Sequence, residues 1–147
     1  MNKTFKELNV FKSKLKGKIM SHFSRLKTIV YDLSILKKAL TDLNINWIDE
    51  TKKIKGYKGE IHEVNLIIPQ KNNFDIGFNW NGQEYELIAD LSFWEQSWSI
   101  ETFLNKVNQR YAVNKILTET EDQGFKLVNQ KNENNGALTL TVERWLG

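Results

Sequence analysis

The segment from 74 to 89 constrains the fold more than any other part of the chain, because it predicts a β-hairpin. Apolar and polar residues alternate on both sides of Asn81-Gly82. This dipeptide accepts the positive φ angles of a two-residue type I′ turn. Such a turn would place Trp80 opposite Gln83 and continue the pairing from there. The pattern therefore predicts a hairpin with a defined register.

The predicted pairing separates the hairpin residues onto two faces of unlike character. One face would pack against a core, and it collects Phe74, Ile76, Phe78, Trp80, Tyr85, Leu87 and Ala89. The other would face water, and it collects Asp75, Gly77, Asn79, Glu84 and Glu86. A slip of one residue would bury three carboxylates, each at a cost of several kcal/mol. We therefore expect the assignment of faces to be firm.

Composition excludes several classes of protein. The 147 residues are 40% hydrophobic and 27% charged, which suits one globular domain. The chain contains no cysteine, so a disulfide framework, a thiol nucleophile and thiolate metal ligands are excluded. The longest apolar run is far shorter than the roughly 20 residues that cross a bilayer. We expect a soluble or peripheral protein.

The net charge of +3 is concentrated at the N-terminus. Residues 1–19 hold six lysines against Glu7 alone, so residues 20–147 carry a net charge of −2. A mildly acidic domain is a poor match for a phosphate backbone, which argues against nucleic acid as a partner. We prefer to interpret residues 1–19 as a flexible basic extension and residues 20–147 as a single α+β domain. An amphipathic membrane-surface or targeting helix is the alternative for residues 1–19.

The rest of the chain alternates between strand-like and helix-like segments. Asp32 is placed to cap a helix that ends at Asn44, and Ser99 begins a helical region, of one helix or two, that runs to Gln123. Strands are predicted at 22–31, 45–49 and 60–68, a loop at 51–59, and a closing hairpin at 125–131 and 137–145. This order predicts an α+β fold with an antiparallel sheet of about five to seven strands under two or three amphipathic helices. A ferredoxin-like variant is the preferred topology.

The aromatic connector, residues 91–98, is the first candidate for a binding surface. It holds Phe93, Trp94 and Trp98, which are too dense for every ring to be buried. At least one ring is therefore expected at the surface, where large aromatic side chains favour protein partners. The alternative is that these rings cover the end of the sheet beneath the following helix.

Asp75, Glu84 and Glu86 form a second candidate on the outer face of the hairpin. We prefer a solvated sheet face to a cation or acid-base site, because no sequence feature indicates that these carboxylates are buried. A basic protein partner for this face is a further hypothesis.

The two histidines offer little support for chemistry. A site would need His22 and His62 to converge with a carboxylate such as Glu63 or Asp90, and no metal-ligand spacing is present. We therefore predict no metal, no cofactor and no catalytic residue. The alternative is a small-molecule or cofactor-binding protein, or an enzyme that uses His62 with Glu63 or Asp90. A third class is RNA binding through Lys52, Lys53, Lys55 and Lys58 around Tyr57.

Several motifs are shared with a known family. They are Met20-Ser21-His22-Phe23, residues 39–43, Gly56-Tyr57-x-Gly59, Asp75-Ile76-Gly77-Phe78-x-Trp80-Asn81-Gly82-x-Glu84-Tyr85-Glu86-Leu87, and residues 108–112. Through them residues 20–145 resemble the hypothetical plastid reading frame thirty-five family, a plastid and cyanobacterial family of unknown function. The family starts at the position of Met20, so residues 1–19 depart from its pattern.

The resemblance implies a plastid-encoded protein of an alga that acts in the plastid stroma, or a cyanobacterial protein. It supplies no activity and no catalytic residue. Genes beside some bacterial relatives encode an AAA-type ATPase and a ferredoxin-like protein, which implies, by association alone, an accessory part in an assembly. We therefore expect a non-enzymatic interaction or assembly accessory factor that presents the aromatic connector and the acidic hairpin face to a protein partner.

Overall fold

The computed structural model describes residues 3–8, 17–20 and 22–144, and within them the α+β class is confirmed. These residues form two α-helices and ten strands in three antiparallel sheets. The strands are β1 (Lys3–Leu8), β2 (Gly17–Met20), β3 (Phe23–Leu26), β4 (Lys52–Lys55), β5 (Ile61–Val64), β6 (Leu66–Ile68), β7 (Ile76–Trp80), β8 (Tyr85–Asp90), β9 (Phe125–Asn132) and β10 (Leu138–Arg144). The helices are α1 (Leu33–Asp42) and α2 (Ile100–Asp122).

The main sheet has the strand order β2-β3-β8-β7-β6, and all its described pairs are antiparallel. Strands β6, β7 and β8 follow one another along the chain as a meander, and β3 pairs with the remaining edge of β8. This order differs from the preferred ferredoxin-like topology, which is built on split βαβ units with parallel central strands. Neither described helix has the length and apolar character needed to span a bilayer.

Strands β7 and β8 form the predicted hairpin, but with a longer loop. Trp80 lies opposite Tyr85 rather than Gln83, so residues 81–84 form the loop and the predicted two-residue turn is wrong. The cause is the Asn81 side chain, whose Oδ1 accepts hydrogen bonds from the N–H groups two and three residues later, each at 2.9 Å. Because the register shifts by two, every residue keeps its predicted face.

The main core lies between the sheet and the two helices. The predicted core residues Ile76, Phe78, Leu87 and Ala89 are all fully buried there, against residues of α1 and α2. Trp80, at the end of β7, is an exception because 43% of its surface is exposed. The predicted apolar face is therefore confirmed in the middle of the hairpin and not at its two ends, since Phe74 is half-buried outside this core and stacks on Phe93.

Both helices begin at their predicted caps. The Asp32 carboxylate accepts hydrogen bonds from the first turn of α1, and Asn44 follows that helix with a φ of 58°. The Ser99 hydroxyl accepts from Thr102 N–H at the start of α2. The helical region after Ser99 is one continuous helix.

The opposite face of the main sheet is not fully solvated as predicted, because the β4–β5 hairpin covers its middle. The predicted loop at 51–59 instead contains β4 and a short 3₁₀ turn. A second, smaller core joins the hairpin to the sheet, and it contains Phe23, Ile54, Val64, Ile67 and Ile88. A Cβ at Gly77 would lie 2.7 Å from Val64 Cγ2, so the glycine is what allows the hairpin to approach.

Two further predicted strands are shorter than expected. The strand at 22–31 ends at Leu26, although alternating burial continues to Val30. The strand at 45–49 is a single bridge between Ile48 and Ile67. In each case only a few backbone groups find a partner strand.

The closing hairpin is confirmed as β9 and β10, which form a small sheet in the order β1-β10-β9. This sheet packs on the second half of α2, where Val113, Ile116 and Leu117 meet Leu138 and Leu140. Strand β1 lies within the predicted extension and β2 crosses its boundary, while residues 1, 2 and 9–16 lie outside the described residues. The division of the chain at residue 19 stays a prediction.

Candidate functional site

The aromatic connector begins with a short 3₁₀ turn after β8 and holds its three large rings half-buried. Phe93 stacks on Phe74, with 3.8 Å between ring centroids and 7° between planes. Trp94 meets Phe103 of α2 edge to face at 5.1 Å. These contacts resemble the predicted alternative in which the rings cover the end of the sheet beneath α2.

Trp98 differs from the other two rings because it lies where the connector meets a groove. Its carbonyl accepts a hydrogen bond of 2.9 Å from Trp94 Nε1, which fixes the backbone between them. The Lys106 ammonium lies 5.0 Å from the Trp98 ring centroid, within the range of a cation–π contact. Of the three rings, Trp98 is the one that lines the groove, and a role of the rings in partner binding stays a prediction.

Gln70 holds the connector against the turn between β6 and β7. Its side chain is buried, and Nε2 donates to the carbonyls of Phe74 at 2.6 Å and Phe93 at 2.9 Å. Its Oε1 accepts from Glu95 N–H at 2.8 Å and from Gln96 Nε2 at 3.0 Å. Both donors and both acceptor positions of the amide are used. The connector is therefore anchored at several points along its backbone.

Asn72 adds a second set of contacts between the same segments. Its Nδ2 donates to the Phe93 carbonyl at 2.9 Å, and its backbone N–H donates to the Glu95 carboxylate at 3.0 Å. The connector and the turn at 69–75 thus form one hydrogen-bonded unit.

An open groove of about 790 Å³ lies beside this unit. Three segments form its walls: the loop that follows α1 (43–46), the end of β6 with the turn after it (68–71), and the second half of the connector (95–98). Among the described residues that line it, only Lys71 and Glu95 carry charge, and Glu95 already accepts from Asn72. The remaining walls offer hydrogen-bonding groups, from the backbone and from side-chain amides, together with aliphatic surface and the Trp98 ring. Binding pockets present groups of both kinds.

The three acidic residues of the hairpin do not form one open patch. Asp75 Oδ1 accepts from Gln70 N–H at 2.8 Å. Glu86 is largely buried, with 15% of its side chain exposed, and its carboxylate lies 4.0 Å from the Arg25 guanidinium. Glu84 is half-buried and is the last residue of the β7–β8 loop. A role of these residues in partner binding stays a prediction.

His62 lies beside Arg25 and shows no described contact with the carboxylates of Glu63 or Asp90. Its Nε2 lies 3.3 Å from Arg25 Nη2, and its Nδ1 lies 2.7 Å from the Glu63 carbonyl oxygen. Arginine only donates, so this geometry requires Nε2 to accept and Nδ1 to carry the proton. Asp90 instead accepts from two backbone N–H groups, those of Tyr57 and Ser92.

The two imidazoles lie in different environments. His22 meets the Tyr57 ring at 4.5 Å, whereas His62 packs against Phe23 at 5.8 Å. Within residues 22–144 no group of three or more histidine, aspartate or glutamate side chains is placed to hold a metal ion.

The shifted pKa values lie at the junction of the two helices. Burial alone would raise the pKa of Asp42, but hydrogen bonds from Asn114 and Arg110 and the Arg110 charge outweigh it, so the pKa is lowered. Burial raises the pKa of Tyr111, whose hydroxyl oxygen accepts from the N–H groups of Tyr31 and Asp32. Both effects belong to residues that join elements of the fold.

Sequence reasoning missed Gln70 and the groove. Asn72-Asn73 does signal a turn, and Asn73 has a positive φ of 64°. The contacts of Gln70, however, reach residues more than twenty positions away, and no local pattern indicates them.

Comparison with known proteins identifies related sequences. A family model described as "Protein of unknown function (DUF1257)" matches residues 39–141. A protein of Guillardia theta named "Uncharacterized protein ycf35" is 54% identical over 126 residues, covering 86% of this chain and 98% of the relative. Proteins of the same name from Pyropia yezoensis and Cyanophora paradoxa are each 44% identical with the same coverage. No solved structure matches the chain.

Proposed function

The chain belongs to the DUF1257 family of proteins of unknown function, and we propose that it is a non-enzymatic interaction or assembly factor of the plastid stroma. Its ycf35 relatives are plastid-encoded proteins, which supports a plastid location. The groove beside the aromatic connector would bind an extended segment of a partner protein. The observation that carries this proposal is the groove itself. Trp98 forms part of its wall, and the hydrogen bonds of Gln70 fix the connector beside it.

The chemistry of the walls favours a polypeptide as the occupant. Backbone groups and the amides of Asn44, Asn46 and Gln96 offer both donors and acceptors, as an extended peptide requires. Trp98 adds a large apolar surface of the kind that supplies much of the binding energy at interfaces. Because hydrogen bonds already fix the connector, the connector would lose little conformational entropy on binding.

Trp98→Ala is the variant that tests this proposal. Both tryptophans pack against the main core, but Trp94 also meets the buried Phe103 ring edge to face, so Trp94→Ala would disturb the fold more. Thermal unfolding of Trp98→Ala checks that the variant keeps the wild-type fold. In affinity capture from a plastid extract, Trp98→Ala should lower recovery of a specific partner at least tenfold, which is about 1.4 kcal/mol. Trp80→Ala is the matched control, since Trp80 is a more exposed tryptophan than Trp98 and lies at the far end of β7.

Site-directed crosslinking identifies what occupies the groove. The chain has no cysteine, so Ser97→Cys, in the groove wall, can carry a single photoreactive label. Gln83→Cys, exposed in the β7–β8 loop, is the control. Crosslinks to one partner peptide from position 97 and not from 83 are expected. Equal recovery with Trp98→Ala, or equal labelling from both positions, would refute the proposal.

A further inference from the structure

The β4–β5 hairpin carries a basic surface on the side of the main sheet away from the helices. Lys52, Lys53, Lys55 and Lys58 are all exposed. In the part of the chain that the structure describes, none of the four forms an ion pair with a carboxylate. Lys58 instead lies over the Tyr57 ring at 5.3 Å and Lys55 over the Phe74 ring at 5.4 Å. The hairpin therefore presents positive charge to solvent.

Exposed apolar side chains lie among these lysines. Ile61 is 59% exposed and lies opposite Lys55 in the hairpin. Tyr57 and Leu91 are each 39% exposed. Tyr57 and Leu91 belong to neighbouring segments, because Tyr57 N–H donates to the carboxylate of Asp90, the residue before Leu91. Three apolar residues are thus open to solvent beside the lysines.

Nearby carboxylates reduce this positive charge only in part. Glu60 accepts a hydrogen bond from His22 N–H at 3.1 Å. Asp90 is buried with both oxygens bonded to backbone N–H groups. Glu63 is exposed and lies opposite Lys53, and Glu50, also exposed, lies two residues before Lys52. Lys52, Lys55 and Lys58 have no such neighbour across the strand pair.

We propose that the β4–β5 hairpin docks this protein on the surface of an anionic lipid bilayer. The lysines would contact headgroup phosphate or sulfonate groups, and Ile61, Tyr57 and Leu91 would enter the interfacial layer. Basic residues attract a negatively charged leaflet, and apolar side chains beside them add burial that charge alone does not provide.

The apolar residues favour a lipid surface over a nucleic acid. Single-stranded nucleic acid is held by bases stacked on open aromatic faces within a basic groove. Lys58 lies over the Tyr57 ring and the His22 ring contacts it at 4.5 Å, so part of the Tyr57 ring is already covered. Ile61 and Leu91 cannot stack on bases. Both aliphatic residues do gain free energy when they leave water for a bilayer interface.

Vesicle co-sedimentation of the full chain tests the proposal. We expect binding to vesicles of phosphatidylcholine with phosphatidylglycerol, little binding to phosphatidylcholine alone, and weaker binding at high salt. Lys55→Gln with Lys58→Gln should weaken binding about tenfold or more. Ile61→Ser should weaken it several-fold at unchanged net charge. Lys126→Gln with Lys131→Gln on β9 removes the same charge elsewhere and is the control.

The possible outcomes distinguish lipid binding from nucleic-acid binding. All substituted side chains are exposed, so each variant should unfold at the wild-type temperature. Absence of binding to anionic vesicles, or equal weakening by the β9 control, would overturn the proposal. Retention on single-stranded RNA that falls with the lysine variant but not with Ile61→Ser would assign the surface to nucleic acid instead. Trp98→Ala should leave vesicle binding unchanged, so this result and the test of the groove are independent.

Discussion

Gly77 shows how one residue determines what can lie on a sheet. It sits in the middle of β7, where a side chain would normally project from the second face. A Cβ there would lie 2.6 Å from the Leu66 carbonyl oxygen and 2.7 Å from Val64 Cγ2. The missing side chain lets the β4–β5 hairpin pack directly on the sheet.

Gly77→Ala should therefore destabilise the protein through overpacking. We expect the free energy of unfolding to fall by about 1–3 kcal/mol, because backbone and a β-branched side chain must both shift. Urea denaturation measures the change. Asn79→Ala, two residues along the same strand face, is the control and should cost less. A Gly77→Ala variant as stable as the wild type would contradict the close approach.

Gln70 is the second residue whose side chain determines how two segments of the chain are held together. Its amide joins the turn after β6 to the connector through four hydrogen bonds. Replacing it by leucine preserves volume but leaves the partly buried Phe74 carbonyl and Glu95 N–H without this partner, while the Phe93 carbonyl keeps its bond from Asn72.

Gln70→Leu should lower the free energy of unfolding by about 2–3 kcal/mol, the cost of leaving buried polar groups unsatisfied. Chemical denaturation with fluorescence detection would report it, since Trp94 and Trp98 lie in the affected segment. Gln96→Ala, which removes only one of the four bonds, is the comparison and should cost less than half as much. Equal effects would show that the network does not act as a unit.

At the scale of elements, the two helices are joined by a polar contact at one end. Asp42, at the end of α1, accepts from Arg110 Nε at 2.8 Å and from Asn114 Nδ2 at 2.9 Å on α2. Asp42 and Arg110 are partly exposed, whereas Asn114 is fully buried. The contact fixes the relative position of helices that otherwise meet through apolar side chains.

The lowered pKa of Asp42 predicts a dependence of stability on pH. A carboxyl whose folded pKa is lowered stabilises the folded state above its unfolded pKa, and this contribution is lost as pH falls through the folded pKa. The wild type should exceed Asp42→Asn by about 1 kcal/mol near neutral pH, and the difference should shrink below about pH 4. Urea unfolding at several pH values measures it. A difference that grows in acid would contradict this sign.

Arg110→Gln is the control for that experiment. It removes the charged partner but leaves the carboxylate and the Asn114 bond, so part of the pH dependence should remain. An unchanged pH dependence would mean that Arg110 contributes nothing to the lowered pKa.

At the scale of the whole molecule, the main sheet and the C-terminal sheet both pack on α2, but the main sheet is covered more completely. The main sheet is covered by helices on one face and by the β4–β5 hairpin on the other. The C-terminal sheet packs on α2 through a small cluster, and most of β9 is exposed. Regions with few buried apolar contacts open at lower free energy than the rest of a protein.

Native-state hydrogen exchange should reveal this difference. We expect amides of β9 and β10 to exchange through openings of lower free energy than those of β7 and β8. Amides in the last turns of α2 should follow the C-terminal sheet. Leu140→Ala, in the small cluster, should accelerate that exchange while leaving β7 and β8 little changed. Uniform protection across both sheets would contradict the expectation.

Local signals explain what the sequence predicted correctly. Asp32, Ser99 and Asn44 act within a few residues of themselves, and alternation in β7 and β8 assigned the faces correctly. The loop at 81–84 was missed because a local Asn81 side-chain contact competes with the two-residue turn. Features that depend on distant partners were not predictable, and β4 is one, since it pairs with β5 and packs over Gly77.

Helix α2 is a continuous rod of 23 residues that belongs to both sheets. At about 1.5 Å per residue it is roughly 35 Å long, far longer than the contact either sheet makes with it. Its two halves meet near Tyr111, whose hydroxyl is fixed to the backbone before α1. The main core holds the first half of the helix through Phe103, Leu104 and Val107, and the small C-terminal cluster packs on its second half. Unwinding this one helix would therefore remove packing from both sheets at once.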